Sequence, residues 1–407
     1  MGSEQVSREK QLLFPHCSSN HCNFATRGER YFAGRTGSSC AAVGRCLGGK
    51  PRRFIYLGEG GRSAGNSSDA AQVDALGSGA YLDGGNAETI ERCHRSTSAE
   101  IKVGGGSSLN LACSGSKTST FTNSKGYFKP GLDFFDDGKG NIGQALALQQ
   151  FAAKNKVSTV AVSAGGNDLN FASVVATCVT KFLTTSSSSP GLCKDDDSVK
   201  ANCTQSNVTA VASKISASLK NIRQAMTNAG YADSDYRIIM QNYPQPLPTS
   251  DKMPYPQSGF SRQSTYGCGF WNADLDWAAK TALPTINSTV KAGLSGAGLS
   301  NGSLLDISKL FSGHELCASG TKKLNDTSLT NWKSQGASDV SEWVNEIRTV
   351  STAFSDYYIQ ESLHPNYWGQ LALRGCLRQA IQSGSGGACR SSGTGLTSLG
   401  EPKVKLG

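Results

Sequence analysis

The chain has 407 residues, of which 37% are hydrophobic and only 17% charged, with 47 glycines and 13 cysteines. It can bury a core as one large domain or two small ones, and its composition excludes collagen-like, coiled-coil and disordered classes. The net charge of +9 (40 minus 31) sits largely in residues 1–68, where ten Lys/Arg face four Asp/Glu, so no basic groove crosses the fold and nucleic acid is not an expected partner.

Residues 1 to about 50 show neither helical nor strand periodicity and read as an irregular basic segment. His16, Cys17, His21 and Cys22 suggest metal ligands, but no second pair with matching spacing follows. The opening MGSEQVSREKQLLFPHCSSNHC has no apolar core of a signal peptide. No run approaches the roughly eighteen apolar residues of a membrane-spanning helix.

Phe54 to Leu57 is a short buried strand running into Gly58, and Val73 to Leu76 is a weaker copy ending at Gly77. Leu109 to Cys113 is another strand, turning at Ser114-Gly115. Ile142 to Lys154 is helical. Val157 to Ser163 is a largely β-branched run that stops at Ala164-Gly165-Gly166, as a strand covered on both faces would. The clearest helix is 208–229, where Val208, Val211, Ile215, Leu219, Ile222 and Met226 recur at helical spacing and Gly230 ends it. Tyr236 to Gln241 and Leu304 to Ile307 are strands. Trp271 to Ala292, with a break near Pro284, Ser341 to Thr349 and Tyr367 to Ser383 are helices.

Strands alternating with helices, with glycines after the strands, predict a doubly wound, flavodoxin-like three-layer α/β/α fold around a mostly parallel five-stranded sheet. The expected domain spans 51–392, followed by a tail over 393–407. Ligands of such sheets bind at the carboxyl ends of the strands. Thirteen cysteines are too many for a reduced setting without a metal or redox purpose. Local spacings pair Cys93 with Cys113, Cys178 with Cys193, Cys268 with Cys317 and Cys376 with Cys389, though sequence alone does not fix connectivity. Sequons at Asn66, Asn202, Asn207, Asn287, Asn301 and Asn325 point the same way, to an extracellular glycoprotein.

Three turns hold candidate chemistry. In Glu361-Ser362-Leu363-His364-Pro365-Asn366, a carboxylate three residues before an imidazole can hold Nδ1 and leave Nε2 free to take a proton from a hydroxyl. In Ser163-Ala164-Gly165-Gly166-Asn167-Asp168, small residues admit a ligand to the backbone, and the Asn167 amide is a neutral donor to a developing oxyanion. Ala112-Cys113-Ser114-Gly115 offers a second donor in the Gly115 N–H. Each segment is also ordinary turn chemistry by itself.

In this order, and with Tyr81-Leu82-Asp83-Gly84, Arg92-Cys93-His94-Arg95-Ser96, Leu111-Ala112-Cys113-Ser114-Gly115 and Leu363-His364-Pro365, the segments resemble the SGNH (GDSL) ester hydrolase family over roughly residues 73–392. The branch is that of secreted, disulfide-bearing lipases and esterases. The resemblance implies an extracellular monomer that hydrolyses acyl esters of lipids or sugars without metal or organic cofactor. His364 would be the base, Glu361 its orienting acid, and Gly115 and Asn167 the oxyanion donors. The first family block, Gly-Asp-Ser-Leu with the nucleophilic serine, is degenerate. Leu57-Gly58-Glu59-Gly60-Gly61-Arg62-Ser63 carries glycine in the serine's place, and Ala75-Leu76-Gly77-Ser78-Gly79 lacks the aspartate. Ser78 is the first choice of nucleophile and Ser63 the second. The alternative is a relative without a competent nucleophile that binds lipid or glycan.

Overall fold

The β-branched and aliphatic runs of the chain become the central strands of one sheet. In the computed structural model, which describes residues 53–56, 61–103, 108–349 and 361–407, β1 (Arg53–Tyr56), β2 (Ser108–Asn110), β5 (Val157–Val162), β6 (Arg237–Gln241) and β7 (Gly302–Asp306) run parallel in the order β2-β1-β5-β6-β7. Register is set by pairs such as Ile55 with Leu109, Val160 with Ile238 and Met240 with Leu304. Between β2 and β5, β3 (Phe121–Thr122) and β4 (Phe128–Lys129) form a separate antiparallel ribbon. The described residues belong to one compact unit, Lys50–Gly407.

Strand alternation gives the sheet an apolar core on each face. Val160 and Val162 of β5 join Ile238 and Met240 of β6 on one side, while Ala161, Ile239 and Leu305 join the other. The first face is covered by α1 (Gln144–Ala152), α3 (Gln205–Asn228) and α4 (Leu283–Ala297), where Val211, Ile215, Leu219, Ile222 and Met226 form the buried stripe of α3. Burial of each such side chain stabilises the fold by about 1.5–3 kcal/mol. Thr204 caps α3 by accepting from the Asn207 N–H. On the second face lies α5 (Tyr367–Ser383), which buries Trp368, Leu371, Ala372, Cys376 and Leu377.

The structure departs from the sequence-based elements in five places. The sheet has seven strands, because the expected tail is a hairpin. In it β8 (Gly387–Leu396) runs parallel to β7, and β9 (Pro402–Leu406) returns antiparallel. The residues around Val73 are a short helix, Ala70–Val73, where a strand was expected. No helix covers 341–349; a short one at Ala337–Val340 precedes an extended stretch. The helix beginning near Trp271 passes through a π turn at Ala278–Ala282 and continues to Ala297, ending at Gly298 with φ +63°, because Gly293 lies inside it against Ile215. An unexpected helix, α2 (Phe171–Thr184), follows β5; its β-branched composition is weak in helix propensity, and packing overrides it.

All four cysteine pairs expected from spacing are bonded: Cys93–Cys113, Cys178–Cys193, Cys268–Cys317 and Cys376–Cys389. Cys203 is a free thiol. His16, Cys17, His21, Cys22 and the Gly58-Glu59-Gly60 segment lie outside the described residues. Among the described residues no helix is long and apolar enough to cross a membrane. The Asn66 sequon is occupied by structure: its buried amide donates to Glu342 and to the Val344 carbonyl, so it cannot take a glycan.

Candidate active site

The parallel strands deliver two of the three candidate turns to the same sheet edge, and hydrogen bonds lock those two together. After β5 the chain passes through Gly165 and Gly166, where a Cβ on Gly166 would stand 3.0 Å from the Tyr243 ring; the Tyr243 hydroxyl accepts from the Gly166 N–H at 3.0 Å. The Asn167 Nδ2 donates to the Ser116 carbonyl at 3.0 Å. Asp168 accepts from the Thr118 N–H at 3.0 Å and the Thr118 hydroxyl at 2.6 Å. Gly115 begins this second turn with φ +69°, a conformation that favours glycine, and open space surrounds it. An amide has two N–H donors, so one on Asn167 can hold Ser116 while the other meets a ligand.

The Gly115 turn is braced from behind by the two segments quoted above. The Cys93–Cys113 disulfide and the bond from the Ser114 N–H to the Cys93 carbonyl (3.2 Å) tie it down. Buried Arg95 donates to the carbonyls of Ala112 (2.6 Å) and Leu111 (3.0 Å), and its other nitrogen pairs with Asp83 at 3.5 Å. Desolvation lowers the Arg95 pKa, against the opposing charge of Asp83.

His364 is half-buried at the entrance to α5, whose first turn is capped by the Asn366 side chain accepting from the Gly369 N–H at 3.1 Å. Its main chain is clamped: the His364 carbonyl accepts from the Asn345 N–H at 3.0 Å, and the Leu363 N–H donates to the Asn345 carbonyl at 3.1 Å. Leu363 has φ +60°, strained backbone for a bulky residue and of a kind that clusters at functional sites. His364 Nδ1 lies 3.2 Å from the Ser362 carbonyl oxygen. A carbonyl only accepts, so this contact places the proton on Nδ1 and makes Nε2 the acceptor of the ring. Glu361, named by residue type as the orienting acid, is buried, and its carboxylate accepts from the Tyr81 hydroxyl at 2.6 Å. The Ser362 carbonyl was illegible in the sequence because every residue has one. Tyr81 was legible only as part of the quoted Tyr-Leu-Asp-Gly segment.

A circuit of contacts joins these parts. From Glu361 it passes to Tyr81, whose ring stacks 4.7 Å from that of His94, and through Cys93 to the Gly115 turn. Ser116 meets Asn167, and Leu169, two residues on, faces Leu363 across a cavity of about 50 Å³. Leu363 then precedes His364. The cavity wall is almost wholly apolar, with Phe171, Val175, Trp277 and Leu283 contributing. Cys203 lines it too, and burial raises its thiol pKa.

The two candidate nucleophiles are placed differently. Ser78 is exposed in a one-turn 3₁₀ segment, Gly77–Gly79, whose Gly77 N–H donates to Asp74 at 2.8 Å. Ser63 shares a small cavity with Glu361 and Asn345, and its carbonyl accepts from the Tyr367 N–H at 2.7 Å, just after His364-Pro365.

No protein-family model matches the chain, and no curated protein does. Among solved structures, an extracellular lipase from Streptomyces rimosus is similar at 17% identity and a TM-score of 0.39, covering 82% of this chain and 100% of its own. An aryl esterase of M. smegmatis is similar at 12% identity and a TM-score of 0.27, covering 66% and 89%. Superpositions this loose leave the functional reading to the residues of the chain.

Proposed function

We propose that the protein is a secreted serine ester hydrolase of the SGNH type, built on a flavodoxin-like three-layer scaffold, that cleaves esters with an apolar acyl group. The supporting observation is that Leu169, two residues after Asn167, and Leu363, one residue before His364, line the same apolar cavity. A serine Oγ attacks the acyl carbonyl and passes its proton to His364 Nε2. The imidazolium keeps its Nδ1–H on the Ser362 carbonyl. Glu361, tied to Tyr81, adds negative charge nearby. Gly115 N–H, the second Asn167 N–H and the nucleophile's own N–H meet the oxyanion. His364 then returns its proton to the leaving alkoxide, and water releases the acyl group by the same route in reverse.

Ser63 is favoured as nucleophile over Ser78 because it shares a cavity with residues that flank His364. The second reading, a non-catalytic binder of lipid or glycan, is favoured by one feature: no Gly-Asp-Ser occurs in the chain. Hydrolysis of short and medium p-nitrophenyl acyl esters by wild type, Ser63→Ala, Ser78→Ala and His364→Ala separates them. The hydrolase reading expects His364→Ala and one serine variant to lose at least about a thousandfold in kcat. A wild type inert at every acyl length hands the site to the binding reading.

A further inference from the structure

The β8–β9 hairpin carries its charge on one face. Val404 and Leu406 of β9 pack toward the core with Cys389, while Lys403 and Lys405, at the alternate positions, are exposed. Arg390 stands directly opposite Lys405 in the pairing register and is exposed as well. Like charges across a strand pair repel, so this face is costly unless an anion meets it. The returning strand has no acid, and Glu401 just before it is buried and bonded to Arg378. Asp306, whose carboxyl feels Arg390, already accepts from Asn242 (2.7 Å) and the Ser308 N–H (2.9 Å).

The tip is apolar. Leu396 and Leu399 are 42% and 62% exposed, two of the five large hydrophobic side chains so placed among the described residues. Direction matters too. β8 runs parallel to β7, so the hairpin points toward the sheet edge where the Gly115 and Asn167 turns lie. Pairing from Leu406 to Pro402 carries the tip about 13 Å along that direction at ~3.3 Å per residue. Gly395 is anchored there by donating its N–H to Asp339 at 2.8 Å, in the segment that leads to the Asn345 clamp on His364.

We propose that this hairpin is an interfacial anchor: its leucine tip enters, and Arg390, Lys403 and Lys405 face, an anionic lipid surface, which seats the candidate site edge against that surface. A basic face beside an apolar tip is the chemistry of reversible binding to such surfaces. The inference gives the proposed hydrolase a substrate presented at a lipid–water interface, but binding itself does not require hydrolysis.

The test is flotation of the full chain with vesicles of phosphatidylcholine alone or mixed with phosphatidylglycerol, alongside hydrolysis of a soluble short-chain ester. Wild type is expected on the mixed vesicles and not on the neutral ones. Lys403→Glu/Lys405→Glu should lose roughly thirtyfold or more in partitioning, and Leu396→Ser/Leu399→Ser several-fold, with melting temperature and soluble-ester hydrolysis unchanged. Equal partitioning to both vesicle types, or no loss in the charge-reversal variant, overturns the anchor. Retention on heparin without vesicle binding overturns it in favour of an acidic glycan. An inert wild type that still binds vesicles sinks the hydrolase reading and leaves the anchor standing.

Discussion

The turns at 113–118 and 165–170 carry the proposed oxyanion donors and the segment 61–81 carries the candidate serines, and the two regions are held by different means. The two turns are held by a disulfide, a buried arginine and three hydrogen bonds from Asn167 and Asp168 partners. The 61–81 segment, which carries both candidate serines, is held without a disulfide, by the part-buried ion pair between Arg62 and Asp74, by Asn66 against Glu342 and the Val344 carbonyl, by the Ser63 carbonyl on the Tyr367 N–H, and by Tyr81 on Glu361. The donors for an oxyanion are preorganised by buried, cross-linked contacts. The segment of the candidate serines rests on hydrogen bonds and one ion pair with no disulfide, and there the family block is degenerate. Preorganised donors stabilise developing charge without reorganisation.

After loss of His364 or the serine, breaking the cross-linked side should have the largest effect. Asn167→Ala is expected to lower kcat about 10²- to 10³-fold with little change in KM, since the amide acts on charge that develops in the transition state; steady-state kinetics on a p-nitrophenyl ester reads it. Asp168→Ala frees Thr118 and should cost about 1–3 kcal/mol in denaturant unfolding together with about tenfold in kcat. Filling the apolar cavity sharpens the comparison from the substrate side. Ala279→Trp, in its wall, should move acyl preference toward shorter chains by about tenfold in the ratio of kcat/KM values. Tyr81→Phe removes the hydroxyl held by Glu361 and should cost about 1 kcal/mol and a few-fold in rate.

A smaller effect follows from two buried carboxyl groups away from the turns. Desolvation pushes Glu100 up to about 8, against its bond from Gln241, and Glu342 up to about 7, against its bond from Asn66. Both are raised from 4.5, so between 4.5 and these values the folded state holds protons the unfolded chain has released. Stability should be greatest near the low end of that window and fall as pH rises through 7 to 8. Glu100→Gln should flatten that decline in melting curves taken across the window.

What the sequence revealed tracks where the deciding interactions are local. The α5 helix was legible at both ends because its apolar positions recur at helical spacing and Gly384 follows it. The β5 run was legible because a strand covered on both faces is continuously apolar, and the disulfides because each joins one cysteine to the next along the chain. The hairpin was not: β8 reads as Gly, Ser and Thr, and its pairing with β9 and with two residues of β7 makes it a strand. In the site, the side chains that carry chemistry were legible by type and order. The Ser362 carbonyl was not, and neither was the bond from Tyr81 to Glu361, since both depend on which atoms the folded turn brings within reach.

The central claim is that His364 activates a serine at this edge, and covalent trapping tests it most directly. Wild type and His364→Ala are incubated with an alkyl fluorophosphonate and the modified residue is located by tandem mass spectrometry. A single adduct on Ser63, or failing that on Ser78, that disappears in His364→Ala is the predicted result. A wild type with no labelled serine, or labelling that is indifferent to His364, contradicts it.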